Sequence, residues 1–367
     1  MTSENLFAAL ALQCIPNIGD VNAKKLIAVC GSPEAVFKEK KSRLLKIDGI
    51  GTRTLEHIFE KQHFERAEEE LRFIKDHKVQ YSFFTDESYP ERLKHCLDGP
   101  ILIFSSGHTR LSGKRVLSIV GTRQITTHGL RFCEKLVEEL APFNPVIVSG
   151  FAYGVDIAAQ RAAHKNGLQT IGCLAHGLNQ TYPRVHHVYR KEIETQGGFI
   201  TEFHSSSKPD RENFLKRNRI IAGISEATIV VESAEKGGSL VTAALANSYH
   251  REVFAVPGRV GDRYSAGCNT LIRTHKAHLL TSAADIVYIL GWDVAYTPEP
   301  IIQKQLFPDL DETEKKIYHY LSRNGKELLD TIALDCKLPI HLVSTKLLSM
   351  ELKGVVRPLP GKLFEAV

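Results

Sequence analysis

The densest chemistry in this 367-residue sequence lies between Arg211 and Gly223, which reads Arg-Glu-Asn-Phe-Leu-Lys-Arg-Asn-Arg-Ile-Ile-Ala-Gly. Arg211, Lys216, Arg217 and Arg219 put four cations within nine residues, around Phe214 and Asn218. Cations at this density could pair phosphates while a base stacks on the ring. Helical spacing limits the pattern. Phe214, Arg217 or Asn218, and Ile221 fall on one side of a helix, and Lys216 and Arg219 on another. All four cations therefore cannot face one groove, and the competing reading is a solvated basic face with Phe214 in the core. Three glycine-bearing turns offer partners for the same chemistry: Gly121-Thr122-Arg123, Ser149-Gly150 and Gly238-Ser239. Small residues let backbone approach an anion, and a following helix adds its positive end.

Other nucleotide chemistry is excluded by spacing. The dinucleotide fingerprint G-x-G-x-x-G is broken at Gly121-Thr-Arg-Gln-Ile-Thr126, and G-x-x-x-x-G-K-[ST] occurs nowhere. ATP hydrolysis is not expected. H-E-x-x-H and paired-cysteine spacings are absent, so His176, His186 and His187 read as pocket or surface groups. Neither metal nor cofactor is expected. The seven cysteines are scattered and never C-x-x-C, which suits reduced thiols in a cytoplasmic protein. The first residues lack a basic segment before an apolar one, so no secretory signal is read, and no apolar run of about 18 residues predicts a membrane span.

Charge is unevenly placed. The formal net of +5 is small, but residues 100–290 hold 22 basic against 15 acidic side chains, whereas residues 1–99 hold 15 against 16. The excess points to an anionic partner for the middle of the chain.

These groups need a scaffold. Compact β-branched runs at Val116–Val120, Val146–Ser149, Thr170–Leu174, Phe199–Glu202, Thr228–Val231, Val253–Val256 and Ile286–Leu290 read as strands buried on both faces. Helical patterns, among them Leu130–Leu140, Val155–Asn166 and Ser239–His250, lie between them. The alternation predicts an α/β fold with a doubly wound, mostly parallel sheet over 110–292. In such a sheet, ligands sit at the carboxyl ends of the strands, where the glycine turns fall. Residues 1–75 read as short helices. Ile15-Pro-Asn-Ile-Gly19 and Ile47-Asp-Gly-Ile-Gly51 resemble helix-hairpin-helix (SAM-like) turns, with a plain αα-turn as the alternative. Residues 76–109 read as a connecting segment and 293–310, with three prolines, as a linker. The stretch 311–367 has three helical patterns and a short hairpin, the order of a winged-helix domain.

Taken together, several segments resemble the DNA-processing protein A (DprA/Smf) family: Ser118–Arg123, Val148–Asp156, Gly177–Pro183, Phe214–Gly223, Gly238–Ala243 and Val253–Gly258. The likeness runs in fixed order over about 110–290. It implies an extended Rossmann domain that binds and protects single-stranded DNA, forms a homodimer and helps load the RecA recombinase during natural transformation. It also implies that Arg123 contacts phosphate, that Arg211 is a basic DNA-binding position, and that Arg217-Asn218-Arg219 is the family's R-N-R run. Ser149-Gly150 and Gly238-Ser239 match its small pocket positions. Leu215, Gly237 and Phe151 depart from the usual residues.

Two rivals remain. A nucleoside-monophosphate phosphoribohydrolase of the same superfamily needs a glutamate where this chain has Ala244 and Leu245, leaving Asp156 and Glu202 as the available carboxylates. A duplex-binding regulator would read the major groove through Ile340–Lys353, whose cations are only His341, Lys346 and Lys353. The reading taken is a non-enzymatic single-strand binder.

Overall fold

The computed structural model describes residues 1–292, 310–359 and 363–366. Contacts divide the chain into two units, 1–294 and 295–367.

The first unit opens with helices α1 (Ser3–Cys14), α2 (Asp20–Cys30), α3 (Pro33–Lys38), α4 (Lys41–Leu44) and α5 (Lys61–Asp76). Their buried stripe (Leu10, Leu26, Val36, Leu44, Ala67 and Ile74) joins one core with Phe104, Phe151 and Phe199 of the α/β part. The helices therefore pack on the sheet instead of standing apart. Strand β1 (Gln80–Phe83), helix α6 (Glu91–Lys94) and strand β2 (Leu102–Gly107) follow. Residues 76–109, expected only to connect, thus add two antiparallel strands to the sheet edge, because Leu102, Ile103 and Phe104 are buried.

The Rossmann-like part runs β3 (Val116–Val120), α7 (Thr127–Leu140), β4 (Val146–Ser149), α8 (Val155–Lys165), β5 (Thr170–Cys173), α9 (His187–Gln196), β6 (Gly198–Thr201), α10 (Arg211–Ile224), β7 (Ala227–Val230), α11 (Gly238–Ser248), β8 (Glu252–Ala255), α12 (Ala266–Arg273), β9 (His278–Leu279) and α13 (Ala283–Ile289). Strand order is β1-β2-β6-β5-β4-β3-β7-β8-β9, with β3 to β9 parallel to their neighbours in the inner sheet. From β3 the chain winds one way to β6, then restarts at β7 on the other flank of β3. This reversal opens a crevice at the carboxyl ends of β3 and β7.

Alternation along β3 shows why both faces bury. Val116 and Val120 pack under α10 and α11 with Ile220, Ile224, Ala243 and Ala246. Leu117 and Ile119 pack on the other face with Leu136, Val137, Ala159 and Ile286. Truncating such a residue to alanine costs about 2–5 kcal/mol. Ile286–Leu290, expected as a strand, instead belongs largely to α13. A capping box between Ser282 and Asp285 starts that helix, and the edge strand is the two-residue β9.

The second unit contains α14 (Glu312–Asn324), β10 (Glu327–Leu328), α15 (Leu329–Asp335), α16 (Ile340–Leu352), β11 (Val356–Leu359) and β12 (Leu363–Ala366), with sheet order β10-β12-β11. Ile317, Leu321, Ile332, Val343, Leu347 and Met350 form its own core. This is a winged-helix domain. The proline-rich linker read at 293–310 lies, apart from Leu310, outside the described residues.

Candidate functional site

A cavity of about 600 Å³ occupies the crevice at the β3/β7 reversal. Its wall brings together Gly121, Thr122 and Arg123 after β3, Arg211, Phe214, Arg217 and Asn218 on α10, and Gly238 and Ser239 at the amino end of α11. Nine of the expected positions thus converge.

Helix α10 begins at Asp210, whose carboxylate accepts the Glu212 amide at 2.8 Å. One turn on, the Phe214 ring is half-buried. The exposed Arg123 guanidinium lies 5.2 Å from its centroid, that of Arg217 lies 5.8 Å away, and the Tyr182 ring also lies 5.8 Å away. Tyr182, 41% exposed, was not among the expected site residues, although it lies within the Gly177–Pro183 segment. Arg211 is exposed at the rim. Together these groups offer two accessible cations beside a cation-supported aromatic surface.

The floor is built differently. Arg217 is only 4% exposed, and its guanidinium donates to the carbonyls of Gly150, at 2.6 Å, and Cys173. It faces the buried Asp156 across Gly150, where a Cβ would collide with the guanidinium and the carboxylate. Asp156 Oδ2 accepts the amides of Gly150 (3.1 Å) and Ala152 (3.4 Å). Burial pushes the Asp156 carboxyl up, and Arg217 opposes this. The same burial lowers Arg217. These bonds hold a tight loop in which Phe151 adopts φ 56°, a conformation that needs enforcement in a non-glycine residue. His186 donates to the Phe151 carbonyl at 3.0 Å, so it buttresses the loop. Ser149 is fully buried and donates to the Ile119 carbonyl at 2.6 Å. Ser149, Gly150 and Arg217 are struts beneath the cavity, since a charge this enclosed must spend its hydrogen bonds on protein.

Lys216 and Arg219 leave the crevice altogether and line a separate cavity toward α1 and α2. Arg219 donates to Asp20 at 2.9 Å and to Glu202, tying the start of α2 to the end of β6. Asp20 also accepts the Ile101 amide at 2.8 Å, so the first glycine hairpin is used for internal docking. After the second hairpin, residues 52–59 form turns before α5 begins. Both candidate carboxylates have structural partners: Asp156 holds the loop, and Glu202 pairs with Arg219.

At the amino end of α11, Ser239 Oγ donates to Ser233 Oγ at 2.9 Å. Gly238 has open space where a Cβ would stand, leaving this helix end accessible beside Arg123. In the winged-helix domain, Lys346 pairs with Asp311, and Lys353 with Glu314 at 2.6 Å. The exposed face of α16 carries Ile340, His341, Ser344, Thr345, Leu348 and Glu351, a poor surface for reading a duplex. No described helix is long and apolar enough to cross a membrane. All seven cysteines are free thiols.

The fold is that of a protein with an extended Rossmann-like sheet, a crevice at its topological reversal and a winged-helix domain. The chain belongs to the DNA recombination-mediator protein A (DprA/Smf) family: residues 80–291 match the family model of that description, and 304–362 match the DprA winged helix domain. It is 30% identical over 350 residues to the putative DNA processing protein DprA of Mycobacterium tuberculosis, across 92% of this chain and 88% of that protein. It is also 34% identical over 278 residues to protein Smf of Escherichia coli, across 75% and 74%. The crystal structure of DNA processing protein A from Streptococcus pneumoniae superposes with a TM-score of 0.66 at 29% identity, covering 78% of this chain and 98% of that one. DNA processing protein A from Helicobacter pylori, a structure described in terms of its single-stranded DNA binding mode, gives 0.52 at 31% identity, covering 58% and 96%.

Proposed function

We propose that this protein binds single-stranded DNA without sequence preference, seating the strand over the carboxyl ends of β3 and β7. The observation that carries the reading is the Phe214 ring with Arg123 on it, Tyr182 beside it and Arg211 at the rim. Arg123 and Arg211 neutralise phosphates, a base stacks on Phe214 and Tyr182, and the open end of α11 completes the cradle. Flexible single strands can follow this recess. A stacked duplex cannot present a base to the ring without unstacking. The chemistry is binding with no turnover, because the site's two carboxylates are engaged structurally, Asp156 in holding its loop and Asp210 in capping α10.

In this reading the bound strand is protected and passed to the RecA recombinase for recombination during natural transformation, by a homodimer formed through the Rossmann-like unit in the cytoplasm. Family membership supports these steps, and the free thiols suit that compartment. A salt series with single-stranded and duplex oligonucleotides, comparing wild type with the Arg123→Ala/Arg211→Ala variant, tests the binding. Removing two phosphate contacts flattens the log–log slope by about 1.4 for a single strand. An unchanged slope removes both arginines from the site.

A further inference from the structure

A second cavity, of about 870 Å³, lies across the end of β7 from the first. Its walls are the amino end of α7, with Thr126 and His128, and the loop from Pro257 to Ser265 between β8 and α12. The loop is clamped at both feet. Asn269 bonds Gly258 in both directions, at 3.1 and 2.9 Å, and the Tyr264 carbonyl accepts the Ser233 amide at 2.7 Å. Between the feet Arg259 and Arg263 are exposed, Val260 is 99% exposed at the tip, and His128 is exposed opposite. The Arg263 guanidinium sits 5.7 Å from the Tyr264 ring, as Arg123 sits on Phe214.

The two cavities are neighbours by construction. Glu232 lines this one and the next residue, Ser233, lines the first, while the Tyr264 hydroxyl donates to Gln124, next to Arg123. Two carboxylates face the second cavity. Glu232 spends both oxygens on Thr126, one on its amide at 2.9 Å and one on its hydroxyl at 2.5 Å, which commits that charge to holding the residue that caps α7. Asp262 is exposed on the loop itself. Two guanidiniums, an imidazole and a half-buried tyrosine therefore meet solvent around a recess at a strand's carboxyl end; exposed guanidiniums beside an aromatic ring also mark the first cavity.

The geometry points to a second nucleotide subsite, made by Arg259, Arg263, His128 and Tyr264, which continues the path of a single strand past the Tyr264–Gln124 contact. This assignment rests on the single-strand reading of the first cavity. Arg259 and Arg263 hold phosphates, and Tyr264 offers its ring to a base.

The test is fluorescence anisotropy of the full chain in a salt series with two oligothymidylates, one of about 4 nucleotides, which fills the first cavity, and one of about 20 that reaches both. Arg259→Ala/Arg263→Ala should flatten the slope for the long strand by about 1.4 and leave the short strand unchanged. The Arg259→Lys/Arg263→Lys variant should restore the slope. Arg123→Ala/Arg211→Ala should flatten both. A long-strand slope untouched by Arg259→Ala/Arg263→Ala, while Arg123→Ala/Arg211→Ala still flattens it, overturns the second subsite alone. An equal loss on both lengths from the loop variant also overturns it. If neither pair moves either slope, the reading of the first cavity falls as well.

Discussion

Arg217→Ala separates a strut from a ligand-binding cation. In the folded chain this guanidinium donates to two buried carbonyls, those of Gly150 and Cys173, and faces the enclosed Asp156. Truncation leaves two buried carbonyls without their donor and the enclosed Asp156 without its facing cation; at about 1–3 kcal/mol for each group left unsatisfied, the three together cost at least about 3 kcal/mol. With a urea m-value of about 3 kcal/mol/M, the unfolding midpoint should fall by at least about 1 M. Adding Asp156→Asn removes the stranded charge, so the double variant should recover part of the loss, and the coupling can be read from a double-mutant cycle. Arg123→Ala should do the reverse. That side chain is exposed, so stability should change by no more than about 0.5 kcal/mol. Its single-strand salt slope should nevertheless flatten by about 0.7. An Arg217→Ala protein with the wild-type midpoint and a slope flattened by one contact would refute this reasoning, because Arg217 would then be reaching phosphate.

Phe214→Leu keeps the site apolar but removes the stacking face. Single-strand affinity should drop by the worth of a stacked base, about 1–3 kcal/mol or roughly 5- to 150-fold, at an unchanged salt slope, as measured by anisotropy. Glu202 gives a pH test. Burial pushes its carboxyl up to about 7 from an ordinary 4.5. The folded state therefore keeps a proton that the unfolded state releases, so its contribution is full below about pH 4.5 and is lost as pH rises through about 7. Between about pH 7 and pH 5 the wild type gains at most about 2 kcal/mol from this group, at 1.36 kcal/mol per unit. The buried His204, held down at about 4, acts in the opposite sense in both proteins and cancels in the comparison. Glu202→Gln should thus lose more stability than wild type on acidification, as followed by urea midpoints at the two pH values. Parallel profiles would contradict the assignment.

The repeating strands and helices were legible because burial on both faces leaves continuous β-branched runs such as Val116–Val120. The split of α10 was legible too: helical spacing alone separates Phe214, Arg217 and Asn218 from Lys216 and Arg219, and the two sets line different cavities. Burial was not legible. Arg217 resembles a phosphate ligand until the chain folds and brings it the carbonyls of Gly150 and Cys173. Arg219 finds its partner in Asp20, 199 residues earlier in the chain. Ile286–Leu290 misled because a short apolar run suits strand or helix equally. The Ser282–Asp285 spacing ahead of it was the overlooked helix-start signal. Tyr182 went unnoticed as a site residue because only the tertiary fold carries it to Phe214.

The central claim is that the crevice at the β3/β7 reversal grips a single strand through Arg123 and Arg211. Its most direct test is the salt dependence of oligothymidylate binding by wild type and by the Arg123→Ala/Arg211→Ala variant, with a duplex of equal length alongside. The account predicts tighter binding of the single strand without ATP, and a slope flattened by about 1.4 in the variant. Equal or tighter duplex binding across the series, or a variant slope equal to that of wild type, would contradict it.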